Sequence, residues 1–331
     1  MVLNRFLSRL KKKSIRIQEY ILLSYYKRQK IAVIMIDGGL GSQIFKYAFG
    51  LTVEKKMGLK VYYDLSWFQN VGKSIDGKSN RVYQLEMVFP SVKLRHSNKN
   101  QTEILKKYFL HQNATPHLYS DLIFSGNGPV YFNGYYANVK YFSYAESTLR
   151  NRLNFAVFIK RAAGDFLNII NKTENNIAVH VRRGDYVNSM HDTLTPEYYK
   201  SAINKLKEYA GVNPTLFFFS NDIPWVKEKI IPLLSCDTVS YFYNGTNDSG
   251  YIDMYLLSNF KYIVISNSEF SWVPAWLSEI SEKKIILPKK WFNTNDALLL
   301  SGIETALNIE GSLILEMDGN ESANFYNSSN I

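Results

Sequence analysis

The chain has 331 residues, a length that favours two domains of about 150 residues each over a single domain. Hydrophobic residues make up 46% of the sequence and aromatic residues 15%, which is typical of a globular protein and excludes a disordered one. The single Cys236 excludes an internal disulfide and a cysteine-based zinc site, and it indicates a reducing compartment such as the cytosol. The five histidines show no metal-binding spacing, so no metal is expected.

Most of the formal net charge of +10 lies at the N-terminus. Residues 1–30 contain nine lysines and arginines against Glu19, a net charge of +8, which leaves +2 for the other 301 residues. A body so close to neutral argues against a broad nucleic-acid-binding surface. We therefore expect no nucleic-acid partner.

The same N-terminal segment, residues 1–30, is predicted to form a basic amphipathic helix. Apolar residues recur there at spacings of three and four: Leu3, Phe6, Leu7, Leu10, Ile17 and Ile21. The apolar runs are too short for a membrane span or a secretory signal. The helix could lie on the anionic inner face of a membrane, or it could be solvated or packed on a domain. A cytoplasmic protein is expected, with peripheral membrane contact as one alternative.

The first domain is predicted to begin with a strand, a glycine-rich turn and a helix. Residues 31–36 have the continuous apolar pattern of a buried strand, and a helix at 43–57 and a strand at 60–64 follow. The turn at 37–42 reads DGGLGS, and its glycines allow the backbone to approach a ligand closely. It lacks the third glycine of a dinucleotide motif and the lysine of a P-loop, so a plain tight turn is the alternative.

Three further segments complete the prediction for this domain, residues 31–170. Residues 70–81 are polar and glycine-bearing, which predicts a long exposed loop of the kind that handles acceptors. Residues 130–144 contain seven aromatic side chains, which could stack on a sugar but are mostly expected in the core. A helical region at 145–170 leads to the polar residues 171–175, where the domain boundary is placed.

The second domain, residues 171–317, alternates strands and helices, which predicts a doubly wound, mostly parallel sheet. Strands are expected at 177–181, 215–219, 239–243, 262–265 and 284–287. Helices are expected at 196–209, 224–234, 249–259 and 270–280. Residues 318–331 are rich in Asn and Ser and are predicted to be a polar tail.

Three strands of this second sheet end in polar clusters, at 180–185, 220–222 and 266–272. In a parallel sheet such ends share one edge, where ligands bind. The adjacent Arg182 and Arg183 suit the oxygens of a diphosphate, although a structural salt bridge with a neighbouring carboxylate is the alternative for one of them.

The other two clusters strengthen the case for a nucleotide diphosphate. Ser268 and Ser271 stand at a predicted helix start, where they could bind an anion or merely cap the helix. Asp222 could accept hydrogen bonds from the donor groups of a purine.

These motifs resemble those of glycosyltransferase family 11, the α-1,2-fucosyltransferases of bacteria and animals. The resemblance covers about residues 32–290. It is carried by HVRRGDY at 180–186, FSND at 219–222 with Trp225, SNSEFSW at 266–272, GGLGSQ at 38–43 and NGYYANVKYF at 133–142. The departures from the family pattern are Ser42 for Asn, Asn221 for the first of two acidic residues, Ala137 for Gln, and Val273-Pro274 within a Trp-rich run.

The resemblance implies an α/β, GT-B-like fold in which two Rossmann-type domains face a central cleft. The first domain would be the acceptor side, and the second would bind GDP-fucose. The activity implied is that of a metal-independent, inverting galactoside α-1,2-fucosyltransferase without a cofactor. It would move L-fucose from GDP-fucose to the 2-OH of a terminal galactose in a glycan acceptor, such as the O-antigen or another bacterial surface polysaccharide. The alternatives are another nucleotide-sugar glycosyltransferase of the same fold and a non-catalytic, peripheral membrane-binding module.

The resemblance also assigns roles to individual residues. Arg183 would be the main diphosphate contact and a catalytic residue, supported by His180 and Arg182, and Asp222 would recognise guanine beside Asn221. The remaining donor contacts would be Ser266, Ser268, Phe270, Ser271, Gly39, Gly41, Ser42 and Gln43. The general base is left open among Asp37, Asp185, Asp192 and His180. Asp185 could instead orient Arg182 or cap the turn.

Overall fold

The structure is a computed structural model that describes residues 2–113, 115, 117–191, 194–211, 213–243, 249–300 and 306–316. For residues 2–10, 12, 113 and 299 it describes the backbone alone. The predicted tail at 318–331 and the base candidate Asp192 lie outside the described residues.

The first domain is built on a four-stranded parallel sheet. Its strands are β1 (Ile31–Met35), β2 (Lys60–Asp64), β3 (Leu110–Asn113) and β4 (Val130–Gly134). Their order across the sheet is β2-β1-β4-β3. The helices that precede β5 in the chain are α1 (Val2–Tyr26), α2 (Leu40–Met57), α3 (Ser66–Asn70), α4 (Leu85–Val88), α5 (Lys99–Tyr108), α6 (Glu146–Arg152), α7 (Val157–Ala162) and α8 (Gly164–Lys172). The last two pack on the second domain, through Phe158 on Tyr251 and Phe166 on Phe217.

The predicted opening of this domain is confirmed, since β1, α2 and β2 follow one another and α2 ends at the left-handed Gly58. The helical region predicted at 145–170 is confirmed, and it is divided into α6, α7 and α8. The break between the first two contains Asn154, whose side chain bonds the carbonyl of Asn151 at 2.7 Å and so competes with helical bonding.

A six-stranded parallel sheet forms the second domain. Its strands are β5 (Asn176–Val181), β6 (Thr215–Ser220), β7 (Ser240–Tyr243), β8 (Tyr262–Val264), β9 (Lys284–Pro288) and β10 (Ser312–Leu315). Their order is β10-β9-β8-β5-β6-β7. The helices are α9 (Pro196–Ala210), α10 (Ile223–Trp225), α11 (Gly250–Leu257), α12 (Glu269–Leu277) and α13 (Ala297–Leu300).

The parallel sheet predicted for this half is confirmed, with β10 as an unpredicted edge strand. The helix predicted at 224–234 is instead the short α10, a π-helical turn (Val226–Ile230) and a 3-10 turn (Ile231–Leu233). Pro232 lies in the last of these, and because proline has no N–H to donate, it interrupts regular α-helical bonding.

The two domains meet where α2 packs against α12. The ring of Phe45 lies 5.1 Å from that of Trp272, and both belong to a buried apolar cluster that contains residues of both sheets. At the start of α2, a Cβ on Gly41 would stand 2.7 Å from the backbone carbon of Glu269, so only glycine allows this approach. The predicted fold class, two Rossmann-type α/β domains facing a central cleft in a GT-B-like arrangement, is confirmed.

The basic helix α1 attaches to the first domain through its C-terminal turns. Leu22, Leu23 and Tyr26 pack in an apolar cluster with Leu105 of α5, and Glu19 accepts a hydrogen bond from Tyr108 at 2.9 Å. Within the described part of the chain, no helix has the length and apolar character needed to cross a bilayer.

Candidate active site

A cavity of 690 Å³ lies in the cleft between the domains. It is bordered by the turn after β1 and by the residues that follow β5, β6 and β8, so the predicted convergence of strand ends is observed. The predicted site residues that line it are Asp37, Gly39, Gly41, Ser42, His180, Arg182, Asp185, Asn221, Ser268 and Phe270. Those that lie outside its lining are Gln43, Arg183, Asp222, Ser266 and Ser271.

His180 is held in place by Ser266 and Ser271, which lie outside the cavity lining. Its Nδ1 lies 2.9 Å from the hydroxyl of Ser266, which in turn lies 3.3 Å from that of Ser271. Ser271 donates to the carbonyl of Ser268 at 3.1 Å. Burial, helped by the charge of Arg182, lowers the pKa of His180 to about 3. The imidazole is therefore neutral and a weak base, and Ser266 and Ser271 orient it rather than facing the ligand space.

Of the two adjacent arginines, Arg182 lines the cavity, and it is paired with a carboxylate. Its Nη2 donates to Asp185 at 2.5 Å, while the other oxygen of Asp185 accepts from Arg81 of the first domain at 2.6 Å. Both oxygens of Asp185 are thus engaged by arginines, one from each side of the cleft. The Nε of Arg182 is buried and has no acceptor among the described residues.

The turn that presents Arg182 depends on a second glycine. Gly184 has a φ of +55°, and a Cβ there would lie 2.3 Å from the amide nitrogen of Asn221. The Oδ1 of Asn221 accepts from the backbone N–H of Arg183 at 2.9 Å. The ends of β5 and β6 are therefore locked together at this point.

Arg183 and Asp222 occupy different positions from those expected. The guanidinium of Arg183 stacks on Trp225 at 4.4 Å, and its Nε lies 4.0 Å from Asp222. Asp222 caps α10 by accepting from the N–H of Trp225 at 3.1 Å. Arg182 lines the cavity and Arg183 does not, because side chains alternate along β5 and Arg182 shares the side of His180. The role expected of Arg183 in donor binding stays a prediction.

The first domain contributes a buried ion pair and a buried amide. The Nζ of Lys46 lies 2.5 Å from Asp37, and burial lowers the pKa of this lysine. Gln43 donates to the carbonyls of Gly38 and Val82 at 3.2 and 3.0 Å and accepts from the N–H of residue 84 at 3.0 Å. The polar atoms of Gln43 therefore hold the glycine-rich turn in place, and Gln43 lies outside the cavity lining.

Two acidic residues that line the cavity were missed as candidate site residues. Burial raises the pKa of Asp253 to about 7, and its Oδ1 is buried without a hydrogen-bond partner among the described residues. Burial also raises the pKa of Glu269 to about 7; the charge of Lys46 opposes this shift and that of Asp37 adds to it. Glu269 is part of the SNSEFSW motif, but an acidic residue in the first turn of a helix is common and does not by itself indicate a site.

The predicted loop at 70–81 and the aromatic segment also contribute to the cavity. α3 takes up residue 70, and Lys73, Ser74 and Ile75 reach the lining. Most rings of the aromatic segment are in the core, as expected, and Tyr135 alone among these rings lines the cavity. Within the described residues no group of three or more His, Cys, Asp or Glu side chains could hold a metal ion.

Comparison with known sequences agrees with this architecture. The family model described as glycosyl transferase family 11 matches residues 84–301. An alpha-1,2-colitosyltransferase of Escherichia coli is 31% identical over 284 residues, which is 80% of this chain and 94% of that protein. The O-antigen biosynthesis glycosyltransferase WbnK of Escherichia coli is 24% identical over 293 residues, covering 79% of this chain and 95% of that protein.

Among solved structures, a variant of Arabidopsis thaliana FUT1 in complex with GDP has a TM-score of 0.48 at 12% identity, covering 83% of this chain and 76% of that chain. Fucosyltransferase NodZ from Bradyrhizobium has a TM-score of 0.44 at 12% identity, covering 76% of this chain and 93% of that chain. The sequence matches decide the assignment: the chain belongs to glycosyl transferase family 11.

Proposed function

We propose that this glycosyltransferase moves L-fucose from GDP-fucose, with inversion, to the 2-OH of a terminal galactose of a bacterial surface polysaccharide such as an O-antigen. It would do so without a metal or a cofactor. The observation that carries the proposal is the position of Arg182, which lines the same cavity as the N-terminal turn of α12. A donor diphosphate fits this combination of a guanidinium and a helix start.

The leaving group is the chemical reason for this arrangement. When the sugar–phosphate bond breaks, negative charge grows on the diphosphate, and preorganised donors that face it stabilise the transition state. Arg182, the hydroxyl of Ser268 and the first N–H groups of α12 are such donors. Each charge-assisted hydrogen bond contributes about 1.5–3 kcal/mol, so two or three of them lower the barrier substantially.

Asp253 is the residue that we assign to guanine recognition, in place of Asp222. Its carboxylate lines the cavity with Asn221 and Gly250, and its Oδ1 lacks a partner among the described residues. The N1–H and the 2-amino group of guanine form a pair of donors that a carboxylate can accept together. Asp222, by contrast, already caps α10. This supports a GDP-linked donor over a UDP-linked one.

A second candidate donor is GDP-colitose. It is favoured by the similarity to the alpha-1,2-colitosyltransferase, because colitose is the 3-deoxy form of L-fucose. The deciding experiment offers GDP-fucose, GDP-colitose, GDP-mannose and UDP-galactose separately with a panel of β-galactoside acceptors. We expect GDP release with GDP-fucose, and an α1→2 linkage by NMR of the product. Preference for GDP-colitose would favour the second candidate, and release from UDP-galactose alone would refute both.

The basic helix α1 is the part of the chain that we propose contacts a membrane surface. The face of α1 that packs on the body contains Leu22 and Tyr26, whereas Ile17 and Ile21 of the predicted apolar face are 52% and 59% exposed. The body of the protein therefore leaves Ile17 and Ile21 uncovered. With a net charge of +8 on residues 1–30, we propose that this face lies on the anionic inner leaflet, where lipid-linked acceptors would be available.

Sedimentation with lipid vesicles tests this contact. The full chain should bind vesicles containing about a third anionic lipid, release them at high salt, and leave neutral vesicles unbound. The double variant Ile17→Asp, Ile21→Asp should lose binding, whereas Leu122→Asp, at an 80% exposed position in the body, should keep it. Equal binding by the wild type to neutral and anionic vesicles would contradict the proposal, and so would full binding by the double variant.

A further inference from the structure

Glu269 stands where the two domains come closest. It is the first residue of α12 and lines the cavity, and a Cβ on Gly41 would lie 2.9 Å from its own Cβ. The N-terminal turn of α12 is where the donor diphosphate is proposed to bind. The turn that contains Gly41 belongs to the opposite domain. The carboxylate of Glu269 is therefore at the boundary between the donor-binding surface and the surface that faces it across the cleft.

Asp253 is assigned to guanine, and the other base candidates that line the cavity, Asp37, Asp185 and His180, are already engaged. Asp37 is ion-paired with Lys46 at 2.5 Å, and both oxygens of Asp185 accept from arginines. His180 is buried against a serine, and its pKa of about 3 makes it a weak base. The described residues, in contrast, provide no hydrogen-bond or ion-pair partner to the carboxylate of Glu269 at all.

The surroundings of Glu269 favour proton uptake. Asp37 and Lys46 form an ion pair, and the charges of both act on Glu269, so the three groups together have one negative charge in excess when all are ionised. Binding one proton removes this excess. Burial is the main reason why the pKa of Glu269 rises to about 7. A general base works best when its pKa lies near the working pH, and this group meets that condition.

We propose that Glu269 is the catalytic base, an assignment that rests on the proposed sugar transfer. The acceptor hydroxyl oxygen forms a bond to the anomeric carbon of the sugar while the bond from that carbon to the phosphate oxygen breaks. The electron pair of the broken bond leaves with GDP. The proton of the acceptor hydroxyl goes to the carboxylate of Glu269, and it is later returned to solvent.

The test compares Glu269→Gln and Glu269→Asp with the wild type, using the donor that the wild type accepts. Glu269→Gln should lower kcat by about 10²- to 10⁴-fold, the usual contribution of a general base. Its affinity for GDP, measured by calorimetry, should be unchanged, and Glu269→Asp should retain part of the activity. The matched control is Glu197→Gln, the same change at an exposed residue in the first turn of α9, which should behave as the wild type.

The pH profile separates catalysis from a structural role. In the wild type, kcat/KM should fall as the pH drops through about 7, because the carboxylate becomes protonated; this limb should be absent in Glu269→Gln. A Glu269→Gln variant with normal kcat, or one that loses GDP affinity but keeps the acid limb, overturns the assignment while the proposed transfer stands. A wild type that transfers no sugar from any donor refutes the proposed function, and this inference with it.

Discussion

The bridge between Arg182, Asp185 and Arg81 gives the sharpest test of how the cleft is held together. In Asp185→Asn the side chain keeps its shape but loses its charge, and the amide nitrogen that replaces one oxygen is a donor facing an arginine. Two charge-assisted bonds of 2.5 and 2.6 Å are weakened at once. One of them joins segments 104 residues apart, so the link between the two domains is affected directly.

The size of the effect follows from burial. The Asp185 side chain is 6% exposed, whereas those of Arg182 and Arg81 are 20% and 27% exposed. Removing one partner of a fully buried ion pair costs about 3–5 kcal/mol, and an exposed pair contributes about 0–1 kcal/mol. Because water still reaches both arginines, we expect Asp185→Asn to lower the free energy of unfolding by about 2–3 kcal/mol.

Urea unfolding followed by circular dichroism measures this loss. The control is Asp121→Asn, which removes the charge of an exposed ion pair with Lys56 and should leave the free energy of unfolding nearly unchanged. In the transfer assay, Asp185→Asn should raise the donor KM but keep the loss of activity at low pH. A variant of unchanged stability that lost both kcat and this acid limb would refute the reasoning and identify Asp185 as the base.

Three further predictions concern donor binding and the domain contact. Asp253→Asn should weaken GDP binding by about 10- to 100-fold in calorimetry, since guanine would lose hydrogen bonds to a charged acceptor; an unchanged affinity would exclude Asp253 from guanine recognition. Arg182→Lys should weaken GDP binding by about tenfold or more, because lysine lacks the planar fork, and Arg183→Lys should weaken it less. The reverse order would restore the expectation derived from the sequence. Gly41→Ala should cost about 1–3 kcal/mol in urea unfolding and lower kcat, because its Cβ would overlap the backbone of α12, whereas Gly128→Ala, with open space around it, should do neither.

The sequence predicted the second sheet well because its strands are buried on both faces. β5 and β6 consist almost entirely of buried residues, and such continuous apolar runs separated by helices indicate a parallel α/β sheet. In the first domain β3 was missed because its sequence, LHQN, has no apolar pattern and lies at the edge of the sheet. β4 was hidden in a segment so rich in aromatic residues that no period stood out.

The location of the site could be predicted, but its internal pairing could not. Strand ends of a parallel sheet share an edge, and this rule brought three polar clusters together correctly. The sequence also allows a prediction of which of Arg182 and Arg183 lines the cavity. The alternation of side chains along β5, continued beyond Val181, puts Arg182 on the same side as His180. No feature of the sequence near Arg81 or Asp185 predicts their contact, because the two residues are 104 positions apart. The burial of Lys46 could not be predicted either, because its sequence neighbours do not show which face of α2 is buried.

The cavity is formed by both domains, as the contacts of Gly41 and Arg81 with the second domain show. On one side of it Gly41 touches the start of α12, and on another Arg81 holds the carboxylate that orients Arg182. Both contacts join the first domain to the residues that follow the strands of the second sheet. A small change in the angle between the domains would therefore alter the position of Arg182 and of Glu269 together. In the proposed transfer, the group that stabilises the leaving diphosphate and the group that accepts the proton are aligned by the same closure of the cleft.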